Sequence, residues 1–420
     1  MILPRGHALR ATLALSPDTP VPVGRLAMDR GVAVFEYAAE FVASGLRHNP
    51  MLDAPAVRMP LRPNDPRAFD GLQGLFADSL PDGWGRLLIE RRLSALGMIP
   101  ADLSPLDVLA IVGSRGMGAL VYEPQSPLDH AGDGELDIDA LAREADAVIE
   151  GRDTDVLPQL EALGGSSGGA RPKVLVALNE AGHAISGVGA IPDGYEAWLV
   201  KFRSGAADVR DIGPLECAYA DMAKAAGIIM ADTRLIASRT GPGYFATKRF
   251  DRLPGNRRLH VLSVSAMLET PWSMPGTMNY GTLLALTQRV TADARAVEQI
   301  VRRLTFNAFA HNRDDHSKQH AFMMDDSGNW TLAPAYDLTF SRGPGGQHYL
   351  DINGRGDEIR RADVLALANQ YIRRKERAER IVDEVIGTIS TFRRFADANG
   401  VTARTAATVW HALERQLALA

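Results

Sequence analysis

HNRDDHSKQH, residues 311–320, sets three histidines, two aspartates and a lysine in one short stretch. Asp314 is followed five positions later by an amide, Gln319, and a further aspartate, Asp337, stands in LAPAYDLTFS. Phosphoryl transfer needs a carboxylate to orient the attacking hydroxyl and oxygen ligands to hold Mg²⁺ on the phosphates. An aspartate, an amide five positions on and a downstream aspartate follow the order of those groups in protein kinases. His316 is placed to contact a phosphate or to brace the loop. Two other readings of the same stretch stay open. His316 and His320, one helical turn apart, could bind a metal with His311 as third ligand, although the glutamate of H-E-x-x-H is missing and no cysteine is near. A solvated connection between two helices would also have this composition.

GGSSGGARPK, residues 164–173, is a second candidate. Glycines let backbone N–H groups approach phosphates closely, and Lys173 or Arg171 would add charge. The stretch is neither a Walker loop nor G-x-G-x-x-G, and a flexible surface loop is the alternative. Ser166 and Ser167 add hydroxyls that could themselves be phosphorylated. Lys201 ends the apolar run AWLVKF, as does the lysine that reaches nucleotide phosphates in V-A-I-K, although strand-end lysines often do no more than snorkel. Glu216, in the helical pattern PLECAYADMAKAAG, is a candidate ion-pair partner for Lys201.

These groups need elements to position them. VPVGRLAMDRGVAVFEYA predicts two strands around a turn at Asp29, Arg30 and Gly31. LFADSLPDGWGRLLIERRLSALG predicts turn residues and then an amphipathic helix, with Leu87 and Leu88 on its apolar side and Arg91 and Arg92 on its basic side. QSPLDHAGDGE, residues 125–135, is a candidate linker, and a helix follows across LDIDALAREADAVIE. VLVAL, AWLVKF and RLIAS are of strand length, and RTGPG between RLIAS and YFATKRF is a hairpin signal. After Asp251 the pattern is mainly helical, with Ile381, Val385, Ile389 and Phe392 at helical spacing. The division is a mixed α/β part over 1–124, a linker and helix over 125–158, a β-rich part over 159–253 and a helical part over 254–420, with a junction near RFDRLPGN.

The chain has 420 residues, enough for two or three domains. No apolar run is long enough to span a bilayer, and the start lacks the apolar centre and cleavage site of a secretory signal. Cys217 is the single cysteine, which excludes a disulfide framework and a cysteine zinc site. A cytoplasmic protein is the expectation. The 46 basic residues face 51 acidic ones, a balance that argues against a nucleic-acid coat protein. The run YIRRKERAER (371–380) could approach DNA phosphates or form a solvated helix face balanced by Glu376 and Glu379.

FADSLPDGWGRLLIERR, LAIVGSRGMGALVYEP, SSGGARPK, WLVKF, ECAYADMAKAAGI, ATKRFDR, NRDDHSKQHAF and LAPAYDLTFS, in that order, resemble the HipA family over nearly the whole chain. That family comprises the serine/threonine kinase toxins of HipBA toxin–antitoxin modules. The resemblance implies an α+β, protein-kinase-like two-lobed fold, with a mixed α/β N-terminal part and an all-helical C-terminal part. It implies ATP and Mg²⁺, with Asp314 as catalytic base, Asp337 and Gln319 at the metal, and Lys201 on the phosphates. Ser167, Gly168, Gly169 and Lys173 of the glycine loop would face the nucleotide, and Arg249, Phe250 and Asp251 would form the adenine-facing hinge. His316 and Lys318 would line the phosphate end, and Ser166 would be autophosphorylated, expelling the loop and disabling the enzyme. The implied partners are a dimeric DNA-binding HipB-like antitoxin, operator DNA through it, and a protein substrate, an aminoacyl-tRNA synthetase. The family has asparagine where this chain has Gln319, one methylene longer, so a slow kinase, or a protein acting mainly as co-repressor, is the alternative.

Overall fold

The computed structural model describes residues 7–56, 60–126, 134–205 and 208–420. The chain forms two compact units: Met1–Asp208 with Ile236–Leu262 and Met323–Asn329, and Val209–Leu235 with Ser263–Phe322 and Trp330–Ala420.

The first unit opens with a four-stranded antiparallel sheet in the order Val32–Tyr37, Val21–Asp29, Leu9–Leu13, Leu120–Glu123. Its expected hairpin closes through Arg30 and Gly31, both at positive φ (51° and 86°). Such a two-residue turn matches the right-handed twist of the flanking strands, and glycine takes that conformation at little cost. The helix Gly83–Ala95 buries Trp84, Leu88, Ile89 and Leu93. Arg91 and Arg92 are half-buried, so the expected basic face is less open to water than its pattern suggests. Residues 127–133 of the expected linker lie outside the described residues, and by Leu136 the chain is in the core, its N–H donating to Ala184 O at 2.7 Å. The helix over 138–149 forms as expected, capped by the Asp137 carboxylate.

A second sheet has the order Ala184–Ser186, Lys173–Asn179, Tyr195–Lys201, Tyr244–Lys248, Thr233–Ile236, with the RTGPG turn between the last two strands in space. Lys173–Asn179 is buried along nearly its whole length, which explains its unbroken apolar sequence. Val174, Val176, Trp198 and Val200 from this sheet pack with Trp84, Leu88, Leu141, Val148, Leu160 and Leu163 in one core.

The second unit is helix-dominated. Ala294–Phe309 is buried over most of its length, and Arg303 inside it is 1 % exposed, donating to Ala333 O at 2.6 Å. Ile381, Val385, Ile389 and Phe392 are fully buried, as their spacing predicts. Asp211 ties the start of Ile212–Ala225 to the last helix, accepting from Thr402 N at 2.7 Å and Thr405 Oγ1 at 2.7 Å. The region after 254 carries this helical mass but is not all helix. Short strands lie at His260–Ser263, Ala321–Met324 and Trp330–Leu332, and Met278–Asn279 pairs in parallel with Leu350–Asp351. Two- to four-residue strands have too few alternating positions to show a period in the sequence. No helix among the described residues is long and apolar enough to cross a membrane.

Candidate active site

In the second unit the aspartate loop follows the buried helix Ala294–Phe309. His311 takes a left-handed conformation (φ 55°), and its backbone exchanges hydrogen bonds with the 341 region: Ser341 N donates to His311 O at 3.0 Å, and Arg313 N donates to Ser341 O at 3.3 Å. The two adjacent aspartates then part. Asp315 is completely buried and accepts three hydrogen bonds, from Tyr280 Oη, His348 Nδ1 and Tyr349 N, all at 2.9 Å. Burial alone would raise its pKa. The His348 ring and the donated hydrogen bonds outweigh that and hold it below the usual carboxylate range. Asn307 extends the network, donating to Tyr280 Oη at 2.8 Å and accepting from Asn312 Nδ2 at 2.9 Å. Asp314 stays half-buried, 3.8 Å from His316 Nε2. Its charge, after burial, helps push the Tyr349 phenol pKa upward.

Beyond it, Ser317–Gln319 makes one turn of 3₁₀ helix, and Gln319 Nε2 donates to Asp337 Oδ2 at 3.2 Å. Asp337 also sits at positive φ (54°), a strained conformation that aspartate tolerates better than most residues. Trp272 lies against two side chains of this loop, 4.8 Å from the His316 ring and 5.5 Å from the Lys318 ammonium. The Lys318 carbonyl accepts from Tyr336 Oη at 2.7 Å. The fold therefore brings Asp314, His316, Lys318, Gln319 and Asp337 into one neighbourhood. A carboxylate beside an amide, with no thiolate, is a donor set that suits a hard cation such as Mg²⁺, which takes one or two carboxylates and leaves further positions for phosphates and water.

The three histidines do not converge. His311 stacks on Phe340 at 5.1 Å, His316 lies on Trp272, and His320 is buried edge-on to Tyr280 at 6.0 Å. Among the described residues, no group of three or more His, Cys, Asp or Glu side chains is placed to hold a metal. Burial, reinforced by Arg303, pushes the His320 pKa down to about 3, and neither ring nitrogen has a hydrogen-bond partner among the described residues.

In the first unit the glycine segment follows the helix Leu157–Gly164 and is packed rather than loose. Ser166 and Ser167 are buried, 8 % and 7 % exposed. Ser166 Oγ donates to Arg115 O at 3.0 Å and Ser167 Oγ to Gly164 O at 2.6 Å. The DGWG turn lies directly on this segment: Gly169 N donates to the Asp82 carboxylate, and Trp84 N donates to Gly169 O at 3.0 Å. A Cβ on Gly83 would lie 2.6 Å from Ala170 Cα, and one on Gly85 would lie 2.5 Å from Ser167 O, so both glycines are required for this contact. Lys173 donates to Gly168 O and is the cross-strand partner of Lys201, whose ammonium lies 5.4 Å from the Phe245 ring centroid. Like charges on directly paired strand positions destabilise a sheet.

Some sequence-read residues face elsewhere. Arg171 pairs with Asp208 at 3.1 Å. Arg249 and Asp251 are buried and bonded to one another at 2.7 Å, with Arg252 as second partner of Asp251. They clamp the backbone at Gly116 O and Gly118 N, at 3.0 and 2.7 Å. Their side chains are thus structural and not directed at a nucleotide, whereas Phe250 between them is half-buried. Glu216, apart from these, is buried on the helix Ile212–Ala225. Asp315, Tyr280, His348 and Trp272 were not legible as site residues, because their partners lie tens of residues away.

Residues 19–123 match the HipA N-terminal domain and residues 165–392 the HipA-like C-terminal domain. No curated protein sequence matches the chain. Among solved structures, HipA of the Shewanella oneidensis MR-1 toxin–antitoxin system, determined with HipB and its operator DNA, matches with a TM-score of 0.70 at 18% identity, covering 98% of this chain and 96% of that one. The Helicobacter pylori proinflammatory kinase CtkA matches with a TM-score of 0.33 at 13% identity, over 51% of this chain and 92% of that one. With the C-terminal domain alone covering more than half of the sequence, and the whole chain sharing the fold of a HipA protein, this chain belongs to the HipA family.

Proposed function

We propose that the chain is an ATP-dependent protein serine/threonine kinase and the toxin of a HipBA-type module. The observation that carries this reading is the divergence of Asp314 and Asp315: the second is buried as an anchor, and the first is left half-exposed near Gln319 and Asp337. Asp314 accepts the proton of the substrate hydroxyl as its oxygen bonds to the γ-phosphorus and ADP departs. Lys201 and Lys173, with the backbone of Ser167, Gly168 and Gly169, take the phosphate charge, and Phe250 meets the base. Asp337 and Gln319 are the residues that would hold Mg²⁺, and the ion would offset charge on the phosphates. Lys318, ordered on Trp272, adds positive charge near the transferred group, and His316 beside it offers a ring nitrogen to a phosphate oxygen. Rate enhancement comes from positioning and electrostatics.

The protein target is an aminoacyl-tRNA synthetase, whose phosphorylation arrests translation. Phosphorylation of Ser166 is the off-switch, because a dianion cannot occupy the buried position in which its hydroxyl now donates to Arg115 O. The direct test is phosphoproteomics on cells expressing the wild type or Asp314→Asn. Transfer to the target falls about 10²–10⁴-fold in the variant, with the fold intact. Equal phosphorylation in both would remove Asp314 from its role.

A second reading is that the chain acts mainly as co-repressor with a HipB-like antitoxin, supported by the operator complex of the Shewanella relative. Arg373, Arg374, Lys375 and Arg380 are exposed on the basic run, while Arg377 pairs with Glu298 at 2.7 Å. Salt-dependent operator binding that needs the antitoxin, with no ATP turnover, favours this reading.

A further inference from the structure

A cavity of about 530 Å³ lies within the second unit, lined by His311, Arg313, Phe340, Arg342, His411 and Arg415 among others. None of the residues proposed above for catalysis or nucleotide binding lines it. Its size falls in the ordinary range for small-molecule sites, roughly 300–1,000 Å³. The three arginines arrive from three separate segments: the residue before Asp314, the loop after Phe340, and the helix Ala403–Leu417. No carboxylate is among the lining residues.

Guanidinium groups are always protonated, so gathering three at one cavity costs Coulomb energy that something must offset. Arg415 lies close enough to act on Arg313: burial lowers the Arg313 pKa and Arg415 adds to that, while Asp357 and, more weakly, Asp315 oppose it from outside the lining. Arg313 is half satisfied. One terminal nitrogen donates to Gly346 O, while Nε has no hydrogen-bond partner among the described residues. Arg342 and Arg415 are exposed at the rim and form no ion pair among the described residues. The His311 ring, held on Phe340 and bonded through Nδ1 to Ser341 O at 3.1 Å, has its pKa lowered to about 4 by burial and then by Arg313, so it is neutral at physiological pH. The cavity thus has a cationic rim and an uncharged aromatic wall.

We propose that this cavity binds a phosphorylated small molecule, its phosphoryl group on Arg313, Arg342 and Arg415 and its organic part against Phe340. Arginine forks match phosphoryl oxygens two at a time, and a group of charge near −2 offsets more of the rim than a single carboxylate would. The site is separate from the proposed kinase centre, although its wall is the backbone that carries Asp314.

The test is calorimetric titration of the full chain with phenyl phosphate, in the wild type, Arg342→Ala/Arg415→Ala, Arg342→Lys/Arg415→Lys and Lys201→Ala. The expected result is one salt-sensitive site. Affinity falls by about tenfold or more in the alanine pair, less in the lysine pair, and is unchanged in Lys201→Ala. Absence of wild-type binding, equal affinity in the alanine pair, or loss in Lys201→Ala would each overturn the assignment. Binding of a phosphoserine peptide without phenyl phosphate would overturn it in favour of a macromolecular ligand. Melting curves and circular dichroism matching the wild type establish that the variants are folded, and both mutated arginines are exposed.

Discussion

In the glycine segment hydroxyl and backbone bonds, Ser166 Oγ on Arg115 O, Ser167 Oγ on Gly164 O and Trp84 N on Gly169 O, are joined by two charged side chains, Asp82 on Gly169 N and Lys173 on Gly168 O. In the aspartate loop it is held by buried ionisable groups, Asp315 with His348 and Tyr280, and beside them the neutral ring of His320 against Arg303. Hydrogen bonds between neutral partners contribute about 1 kcal/mol each and can be exchanged for water at small cost. A buried carboxylate cannot be released without charging or protonating the interior. The hydroxyl bonds at Ser166 and Ser167 are therefore the more readily exchanged of the two sets, and the Asp315 network the harder to release.

Removing the anchor is the strongest way to break this contrast. Asp315→Ala leaves His348 and Tyr280 buried without their shared acceptor and should cost about 3–5 kcal/mol. Asp314→Ala, at a half-exposed position, should stay within about 0.5 kcal/mol of the wild type. Urea unfolding of both variants makes the comparison, and equal losses would mean the two aspartates do not divide the work.

Acidification should separate the segments next. His320 is neutral when folded, with a pKa near 3, but binds a proton in the unfolded chain below about pH 6.5. The unfolded state therefore binds more protons between those values, and stability around His320 falls as pH drops, by up to about 1.4 kcal/mol per pH unit. The lowered pKa of Asp315 confines its own loss to more acidic solutions, below about pH 4. Amide exchange of 311–320 should lose protection between pH 6.5 and 4.5, corrected for intrinsic rates, while 164–170 changes little. Equal change in both would show that charge burial does not distinguish them.

Smaller effects sharpen the picture. Gln319→Asn shortens the side chain that now reaches Asp337 and restores the family's residue. Phosphotransfer should rise by about tenfold, with a lower Mg²⁺ requirement. A fall would mean that the longer amide is matched to this backbone. Ser166→Ala removes one hydroxyl donor and should cost about 1 kcal/mol. Peptide mapping after incubation with Mg·ATP should find phosphate on Ser166 in the wild type and none on the segment in the variant. Phosphate appearing elsewhere on the wild-type segment would move the switch.

The sequence by itself determined what depends on neighbours along the chain. Arg30 and Gly31 specify a two-residue turn, the Ile381, Val385 and Ile389 spacing specifies a helix face, with Phe392 opening the next helix, and Asp314, Gln319 and Asp337 stand in the order a phosphotransfer site would have. Periodicity and local φ/ψ preference are written in short windows, so these are readable without a fold. Only the tertiary structure decided which of two adjacent aspartates is anchored, that Arg249 and Asp251 turn inward onto Gly116 and Gly118, and that three distant arginines share one cavity. Each of those outcomes rests on partners far apart along the chain, such as Asp315 with Tyr280 and Tyr349. A buried charge takes whichever donors the packed helices bring to it, and no local pattern encodes that choice.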